Sequence, residues 1–335
     1  MSQSNPITLI GMPPSPYTRK MIAIMRYRRI AYRAAWGDPG AILTEMGIAK
    51  PKVVLLPTYV LPNETGKLQA VCDSTPIIRR LEAEHEGRSV IPDDPVMAFI
   101  DYLLEDFADE WGTKYMFHYR WHLEEDADNA GTLLPLFQQV NLSTAKFNQA
   151  KPYITERQVG RLHVVGSNDV TAPIIDASYK RLLSAMEAHL TQQPYLMGNR
   201  PGASDFAFYG QLTQLVGFDP TPRAIAHSIS PRTVAYAGLM EDQTGLEPQV
   251  DDWNSAGTAP DTLRGILNEV GYVYAPALLA NAQAMKAGEK TWEVEIDGSR
   301  WTQQTFNYQG KCLQWINSEY QALSVANRAR VNGLL

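Results

Sequence analysis

A short segment that carries hydroxyl groups, Ser15-Pro16-Tyr17-Thr18, follows the apolar run of residues 7–11. The segment has the form of a Cys-Pro-Tyr-Cys redox loop in which hydroxyl groups replace both sulfur atoms. Proline favours the first position of a helix, so Ser15 is predicted to precede a helix N-terminus, where backbone N–H groups favour negative charge. A hydroxyl group there can donate a hydrogen bond to a bound thiolate. The alternative is that Ser15 only caps the helix.

A proline interrupts a second segment, the β-like run Val53 to Val60. Prolines within strands are normally confined to sheet edges or special turns. A cis bond between Leu56 and Pro57 would leave the Leu56 backbone free to pair with an extended peptide ligand. The alternative is an ordinary proline on an edge strand.

The third segment, Asp73-Ser74-Thr75-Pro76, precedes an apolar-periodic stretch that predicts a helix over residues 75–86. The free N–H groups of a helix start and the Ser74 hydroxyl group suit a carboxylate ligand, while Asp73 suits an ammonium group. The alternative is a simple helix cap.

The elements that must position these segments divide near residue 90. Before that point, strand and helix patterns alternate in the order β-α-β-(α)-β-β-α, and the Pro- and Gly-containing residues 87–95 are typical of a linker. The later sequence is mostly helical. Near its end, residues 291–296, an Asp297-Gly298 turn and residues 299–302 predict a β-hairpin. Helices are predicted on either side of it, over residues 260–287 and 306–323.

Composition excludes several classes of protein. The chain has 335 residues, a net charge of −6 and 44% hydrophobic residues, which argues against disorder and against a nucleic-acid partner. Two cysteines, Cys72 and Cys312, and six histidines without a ligand-like spacing predict neither a disulfide framework nor a metal site. No apolar stretch approaches the ~18 residues of a membrane span, so we expect no membrane partner and a cytoplasmic location.

Taken together, the three segments resemble the glutathione S-transferase family, and Ser-Pro-Tyr followed by Arg and Lys resembles its serine-type branches from bacteria and plants. Residues 198–205, Gly-Asn-Arg-Pro-Gly-Ala-Ser-Asp, are similar to a helix start in the second domain of that family. The resemblance implies a fold of the α/β plus all-α class. A thioredoxin-like, glutathione-binding domain over residues 1–88 would precede a helical domain over residues 89–250. Residues 251–335 would form an extension, with the hairpin and helices, packed on the helical domain.

The resemblance also implies glutathione as a cosubstrate, no metal, and a homodimer. Ser15 would be the catalytic residue. The glutathione-binding residues would be Leu56, Pro57, Asp73 and Ser74. The lysine that the family uses for the glycine carboxylate has no clean counterpart, and Lys52 and Lys50 are the candidates.

A small hydrophobic electrophile would then be the second substrate, bound against the helix predicted over residues 97–119. The residues expected around it are Tyr17, Trp111, Tyr115 and His118. Aromatic residues at helical spacing suit a flat apolar substrate, but the same spacing is typical of a helical core. The chain is thus expected to be a glutathione transferase-like enzyme. The alternatives are a non-catalytic binding or interaction module of the same fold, and a structural subunit without a glutathione site, which an occluded cleft would favour.

Overall fold

The computed structural model describes residues 6–335, so the first five residues of the domain predicted over residues 1–88 lie outside it. The N-terminal region has a mixed strand and helix order. Its elements are β1 (Ile7–Gly11), α1 (Pro16–Tyr27), β2 (Tyr32–Trp36), α2 (Pro39–Glu45), β3 (Thr58–Pro62), β4 (Leu68–Val71) and α3 (Ser74–Glu84).

These four strands form one sheet in the order β2-β1-β3-β4. Strand β1 is parallel to β2 and antiparallel to β3, which is antiparallel to β4. Ile10 pairs with Thr58, and Tyr59 pairs with Val71, so the end of β1, the start of β3 and the end of β4 share one edge. The arrangement confirms the predicted thioredoxin-like fold.

A helical region follows. Its elements are α4 (Pro95–Glu110), α5 (Gly112–His122), α6 (Glu124–Gln138), α7 (Thr144–Val159), α8 (Ala172–His189), α9 (Ala203–Leu215), α10 (Pro220–Ile229) and α11 (Pro231–Leu239). The single helix predicted over residues 97–119 is wrong, because α4 ends at Glu110 and α5 begins at Gly112, with Trp111 between them. Gly112 lies beside Gln211 of α9, where an added Cβ atom would be only 3.2 Å from the Gln211 Cγ atom. The absence of a side chain at Gly112 therefore lets α5 pack closely on α9.

The C-terminal extension contains the predicted hairpin. Its elements are α12 (Thr262–Glu269), a π-helical turn (Val270–Tyr274), α13 (Ala275–Ala287), β5 (Thr291–Ile296), β6 (Ser299–Gln304), α14 (Asn307–Ala322) and α15 (Val325–Leu334). Trp301 of β6 is fully buried, and its ring centroid lies 5.1 Å from that of Trp111. The hairpin is therefore packed against the helical region. No helix in the described part of the chain is both long and apolar enough to cross a membrane.

The N-terminal and helical regions share one hydrophobic core, which includes Leu9 and Met21 on one side and Phe206 and Tyr209 on the other. Helix α1 packs directly on α9. Gly210 of α9 faces the backbone of the first turn of α1. The start of α1, where Ser15 lies, is therefore supported by the helical region.

Candidate functional site

The sheet register brings the three segments identified from the sequence to one edge of the sheet. The loop after β1 carries Ser15, the loop before β3 carries Leu56 and Pro57, and α3 begins directly after β4 with Asp73 and Ser74. We call these five residues the sheet-edge site.

Ser15 is the N-cap of α1, and its Oγ atom accepts a hydrogen bond from the Thr18 backbone N–H at 3.3 Å. The residue is only 8% exposed. Within the described part of the chain, the Ser15 hydroxyl group donates to no acceptor. Arg120 of α5 holds the preceding loop by donating to the Pro14 carbonyl oxygen at 3.4 Å. Ser15 thus caps its helix, as the simpler interpretation predicts, and still has a hydroxyl proton to donate.

The Leu56–Pro57 bond is cis, which agrees with the first of the two alternatives considered for this proline. The strand predicted from Val53 is wrong in its start, because β3 begins only at Thr58. Val53 is 56% exposed and the loop has no neighbouring strand to pair with among the described residues. Neither backbone group of Leu56 forms a hydrogen bond with another backbone group there. Lys52 is exposed on the same loop.

Asp73 and Ser74 both have side-chain partners in this structure. Asp73 has a φ angle of 88°, and its Oδ2 atom accepts a hydrogen bond from the Tyr308 hydroxyl group of α14 at 3.0 Å. The Ser74 Oγ atom accepts a hydrogen bond from Lys20 Nζ at 3.2 Å. Burial raises the pKa of Asp73, while the bond from Tyr308 opposes that rise. The two side chains expected to hold a ligand are therefore paired within the chain.

Lys20 lies beneath the sheet-edge site and is fully buried. Its Nζ atom lies 2.8 Å from Glu105 Oε1 and 2.6 Å from Asp109 Oδ2, both on α4. Burial alone would lower the pKa of Lys20, but these two carboxylates raise it above its usual value. Lys20 is therefore a buried cation that joins α1 to α4. The sequence reasoning missed it, although two acids four residues apart within an apolar helix were a visible signal.

Two further acids of α4, Asp106 and Glu110, face the extension. Tyr274 donates to Asp106, and Gln309 of α14 donates to Glu110 at 3.4 Å. Burial raises the pKa of Asp106 to about 7 and that of Glu110 to about 8, and the negative charge of Asp109 adds to both shifts. Among residues 6–335, no group of three or more His, Cys, Asp or Glu side chains is arranged to hold a metal ion.

Three of the residues expected around the electrophile are buried and bonded inside the helical region. Trp111 and Tyr115 both reach Ser178, at 3.3 Å from the indole nitrogen and 2.6 Å from the hydroxyl group. His118 Nδ1 lies 2.8 Å from Ser167 Oγ, and burial lowers the pKa of His118 to about 4. These positions favour the alternative considered above, in which the aromatic residues form the core.

Tyr17, the fourth of these residues, remains partly exposed. Its hydroxyl group donates to the Asp109 carbonyl oxygen at 2.7 Å and lies 2.7 Å from Thr113 Oγ1. These bonds fix the Tyr17 side chain against the junction of α4 and α5.

A cavity of about 280 Å³ lies between the start of α2 and the helices α6 and α7. Gly37 in its lining donates a backbone hydrogen bond to Gly11 at the end of β1, at 3.2 Å. The cavity therefore borders the same sheet edge. Its lining is mixed in polarity and consists of Gly37, Asp38, Pro135, Gln138, Gln139, Leu142, Lys146 and Ala150.

Comparisons with solved structures give remote likenesses. A GST-like protein from Pseudomonas syringae is 13% identical, with 71% of this chain and 67% of that chain covered and a TM-score of 0.45. A glutathione S-transferase of Ceriporiopsis subvermispora, solved in complex with glutathione, is 18% identical, with 71% and 98% covered and a TM-score of 0.45. No curated protein matches the chain.

Two family models match the sequence itself. Residues 9–89 match the N-terminal domain of glutathione S-transferases, and residues 168–241 match their C-terminal domain. The first match contains the whole sheet-edge site, and the second contains α8, α9 and the helix start at residues 198–205. The chain is therefore similar to glutathione S-transferases in two segments, which follow each other in the order of that family's N-terminal and C-terminal domains.

Proposed function

We propose that the protein is a glutathione transferase-like enzyme that binds glutathione at the sheet-edge site. The observation that supports this most strongly is the shared edge, where the register gathers a serine at a helix start, free Leu56 backbone groups and a second helix start. Each of these three groups suits one part of glutathione, which is a small acidic peptide with a thiol group. The family match over residues 9–89 supports the same ligand.

In this proposal, each part of glutathione meets a different residue. The Leu56 backbone pairs with the cysteine residue of the ligand, beside Pro57. Asp73 pairs with the γ-glutamyl ammonium group, and Ser74 at the start of α3 receives the adjacent carboxylate. Lys52, exposed on the loop before β3, is the candidate for the glycine carboxylate.

Ser15 would donate a hydrogen bond to the glutathione sulfur and so favour the thiolate. Lowering a thiol pKa from ~8.5 to ~6.5 raises its thiolate fraction at pH ~7.5 about tenfold, but costs roughly six- to tenfold in intrinsic reactivity. These effects nearly cancel. Most of the rate acceleration must therefore come from positioning the two substrates and from stabilising charge on the electrophile.

The electrophile would be a small hydrophobic molecule. The cavity of about 280 Å³ beside α2 borders the sheet edge and is near the lower end of the usual range for small-molecule sites. Its apolar lining, Pro135, Leu142 and Ala150, comes from the inserted helices α6 and α7 or directly borders them. We therefore propose that this insertion covers the electrophile. The resemblance further implies a cytoplasmic location and a homodimer. Sedimentation velocity would test the homodimer.

A second candidate function is a non-catalytic protein of the same fold. It is favoured by the closed state of the sheet-edge site, in which Ser15 is 8% exposed while Asp73 and Ser74 bond to Tyr308 and Lys20. Under this alternative, Ser15→Ala would leave function intact.

The deciding experiment is calorimetric titration of glutathione into the wild type, Ser15→Ala and Ser74→Ala, in two buffers of different ionisation enthalpy. We expect saturable binding with proton release that disappears in Ser15→Ala, and weaker binding in Ser74→Ala. The matched control is Ser143→Ala, which also removes a helix N-cap serine, at the start of α7. A fall in turnover of tenfold or more in Ser15→Ala, with little loss of affinity, would support catalysis. No wild-type binding at millimolar glutathione would refute the enzyme.

A further inference from the structure

A tyrosine of the C-terminal extension bonds to the carboxylate that the proposed function assigns to the ligand. Tyr308 lies in the first turn of α14, and its hydroxyl group donates to Asp73 Oδ2 at 3.0 Å across 235 residues of sequence. Asp73 is at the start of α3 in the thioredoxin-like region. The extension therefore reaches over the sheet-edge site.

We propose that Tyr308 is a gate over the amino-acid end of the glutathione site, and that the ligand ammonium group must displace the Tyr308 hydroxyl group from Asp73. The inference rests on the proposed function, because it concerns which group pairs with Asp73 when glutathione binds. It assigns a role in ligand selection to a residue outside both matched domains.

The moving part is the side chain, because the start of α14 is anchored independently of Tyr308. Asn281 of α13 forms two hydrogen bonds with the Phe306 backbone, at 3.0 Å to its oxygen and 2.8 Å from its N–H group. Gly310 lies against Met285, where an added Cβ atom would be 2.7 Å from the sulfur. Cys312 is 1% exposed. Helix α14 can therefore stay in place while Tyr308 rotates.

Two partly exposed aromatic side chains lie beside the Tyr308 ring on its solvent side. The ring packs on Phe306 and Trp315, with centroids 6.4 Å and 5.9 Å away. Phe306 is 37% exposed and Trp315 is 39% exposed, so the aromatic contacts lie toward solvent. An outward rotation keeps apolar contact for the ring, and the main loss on opening is the hydrogen bond to Asp73.

The charges around Asp73 favour exchange of a phenol for an ammonium group. Asp73, Glu105 and Asp109 lie around Lys20, which bonds to the latter two. Glu105 Oε2 and Asp109 Oδ1 are buried and without a hydrogen-bond partner among the described residues. Tyr308 donates a hydrogen bond but adds no positive charge. A ligand ammonium group in the same place would add the charge that this acidic surrounding lacks.

The test is calorimetric titration with S-methylglutathione, which has no free thiol. Tyr308→Phe keeps the ring and removes the competing hydroxyl group, so we expect binding about tenfold tighter than in the wild type, because a hydrogen bond to a charged acceptor is lost only from the closed state. The matched control is Tyr320→Phe on the same helix, whose hydroxyl group bonds to Asn332 at 2.9 Å. We expect no change in affinity there.

A second probe, the glutaryl analogue without the α-ammonium group, identifies the group that competes. With this probe the difference between Tyr308→Phe and the wild type should largely disappear. Equal or weaker binding of S-methylglutathione to Tyr308→Phe would overturn the gate while leaving the proposed function standing. No binding to the wild type, Tyr308→Phe or Tyr308→Ala would overturn both. Binding only after the Tyr308 substitutions would support the gate but refute glutathione turnover by the wild type, in favour of the non-catalytic alternative.

Discussion

The carbonyl oxygen of Pro16 lies 2.5 Å from the place that a Cβ atom on Gly210 would occupy. Helices α1 and α9 thus meet backbone to backbone directly after Ser15. The next neighbours of that place are the Lys20 Cβ atom at 3.1 Å and the Pro16 carbonyl carbon at 3.2 Å, so the contact has little capacity to adjust. The position of Ser15 is therefore set in part by a glycine in the second matched domain.

Gly210→Ala is expected to destabilise the protein by about 2 kcal/mol, because the added methyl group meets rigid backbone and forces the helices apart. Alanine is otherwise the better helix former by about 1 kcal/mol. The matched control is Gly238→Ala in α11, where nothing lies within 4 Å of an added Cβ atom. Denaturant unfolding should show a loss for Gly210→Ala and no loss for Gly238→Ala. Equal stabilities would contradict the close contact.

Lys20→Met is expected to lower the free energy of unfolding by roughly 3–5 kcal/mol, because it leaves the carboxylates of Glu105 and Asp109 buried without their cation. The control is Lys180→Met, which removes an i,i+4 ion pair with Asp176 on the surface. We expect about 0.5 kcal/mol or less for the control. Urea unfolding at pH 7 measures both, and a loss under ~1 kcal/mol for Lys20→Met would contradict the buried triad.

Stability should also fall as pH rises from 5 to 7, in part because of Glu110. Burial raises the pKa of Glu110 to about 8 in the folded protein, so the folded state keeps a proton that the unfolded chain releases near its ordinary value of 4.5. Glu110→Gln removes this contribution. We expect the variant to gain about 2.5 kcal/mol on the wild type between pH 5 and pH 7, because the folded state holds nearly one extra proton over these two pH units.

Lys114 limits the pH range over which the contribution of Glu110 can be measured. Burial lowers the pKa of Lys114 to about 7, which adds stability as pH rises above that value and would oppose the Glu110 slope. Below pH 7 the contribution of Glu110 to stability can be measured with little contribution from Lys114. A constant difference between Glu110→Gln and the wild type from pH 5 to pH 7 would show that Glu110 titrates normally.

Arg120→Lys is expected to destabilise the protein by about 2 kcal/mol and to weaken glutathione binding, because a lysine cannot replace the forked contacts of the guanidinium group. Arg120 donates to Asp219 at 2.9 Å from both Nε and Nη2, and to the Pro14 carbonyl oxygen. Arg181→Lys is the comparison, since Arg181 forks onto Glu269 but is a third exposed. Unfolding and calorimetry should show a smaller loss of stability and no loss of affinity for Arg181→Lys.

The parts of the fold that the sequence predicted well have local signatures. Ser15, Pro57 and Ser74 each stand beside a proline or a helix start, and β5 and β6 flank an Asp-Gly turn. These patterns depend on neighbouring residues only. The start of β3 could not be predicted in the same way, because the apolar run at Val53 has high strand propensity but no strand beside it.

The parts that could not be predicted depend on contacts between distant residues. Lys20 and Glu105 are separated by 85 positions, and Tyr308 and Asp73 by 235. Trp111 and Tyr115 show another limit. An apolar helix face has the same periodicity whether it lines a pocket or packs into a core, so only the structure shows that these rings are buried.

The ion triad of Lys20 also bears on how the protein is made. Lys20 lies in α1, and its partners follow 85 and 89 residues later, on the helix after the linker. A chain that leaves the ribosome from its N-terminus completes the thioredoxin-like sheet before either carboxylate is available. The lysine must then remain hydrated, and α1 loosely seated, until α4 emerges. The first matched domain is therefore expected to fold cooperatively with the helical region. Expressed alone, it should lack its final packing.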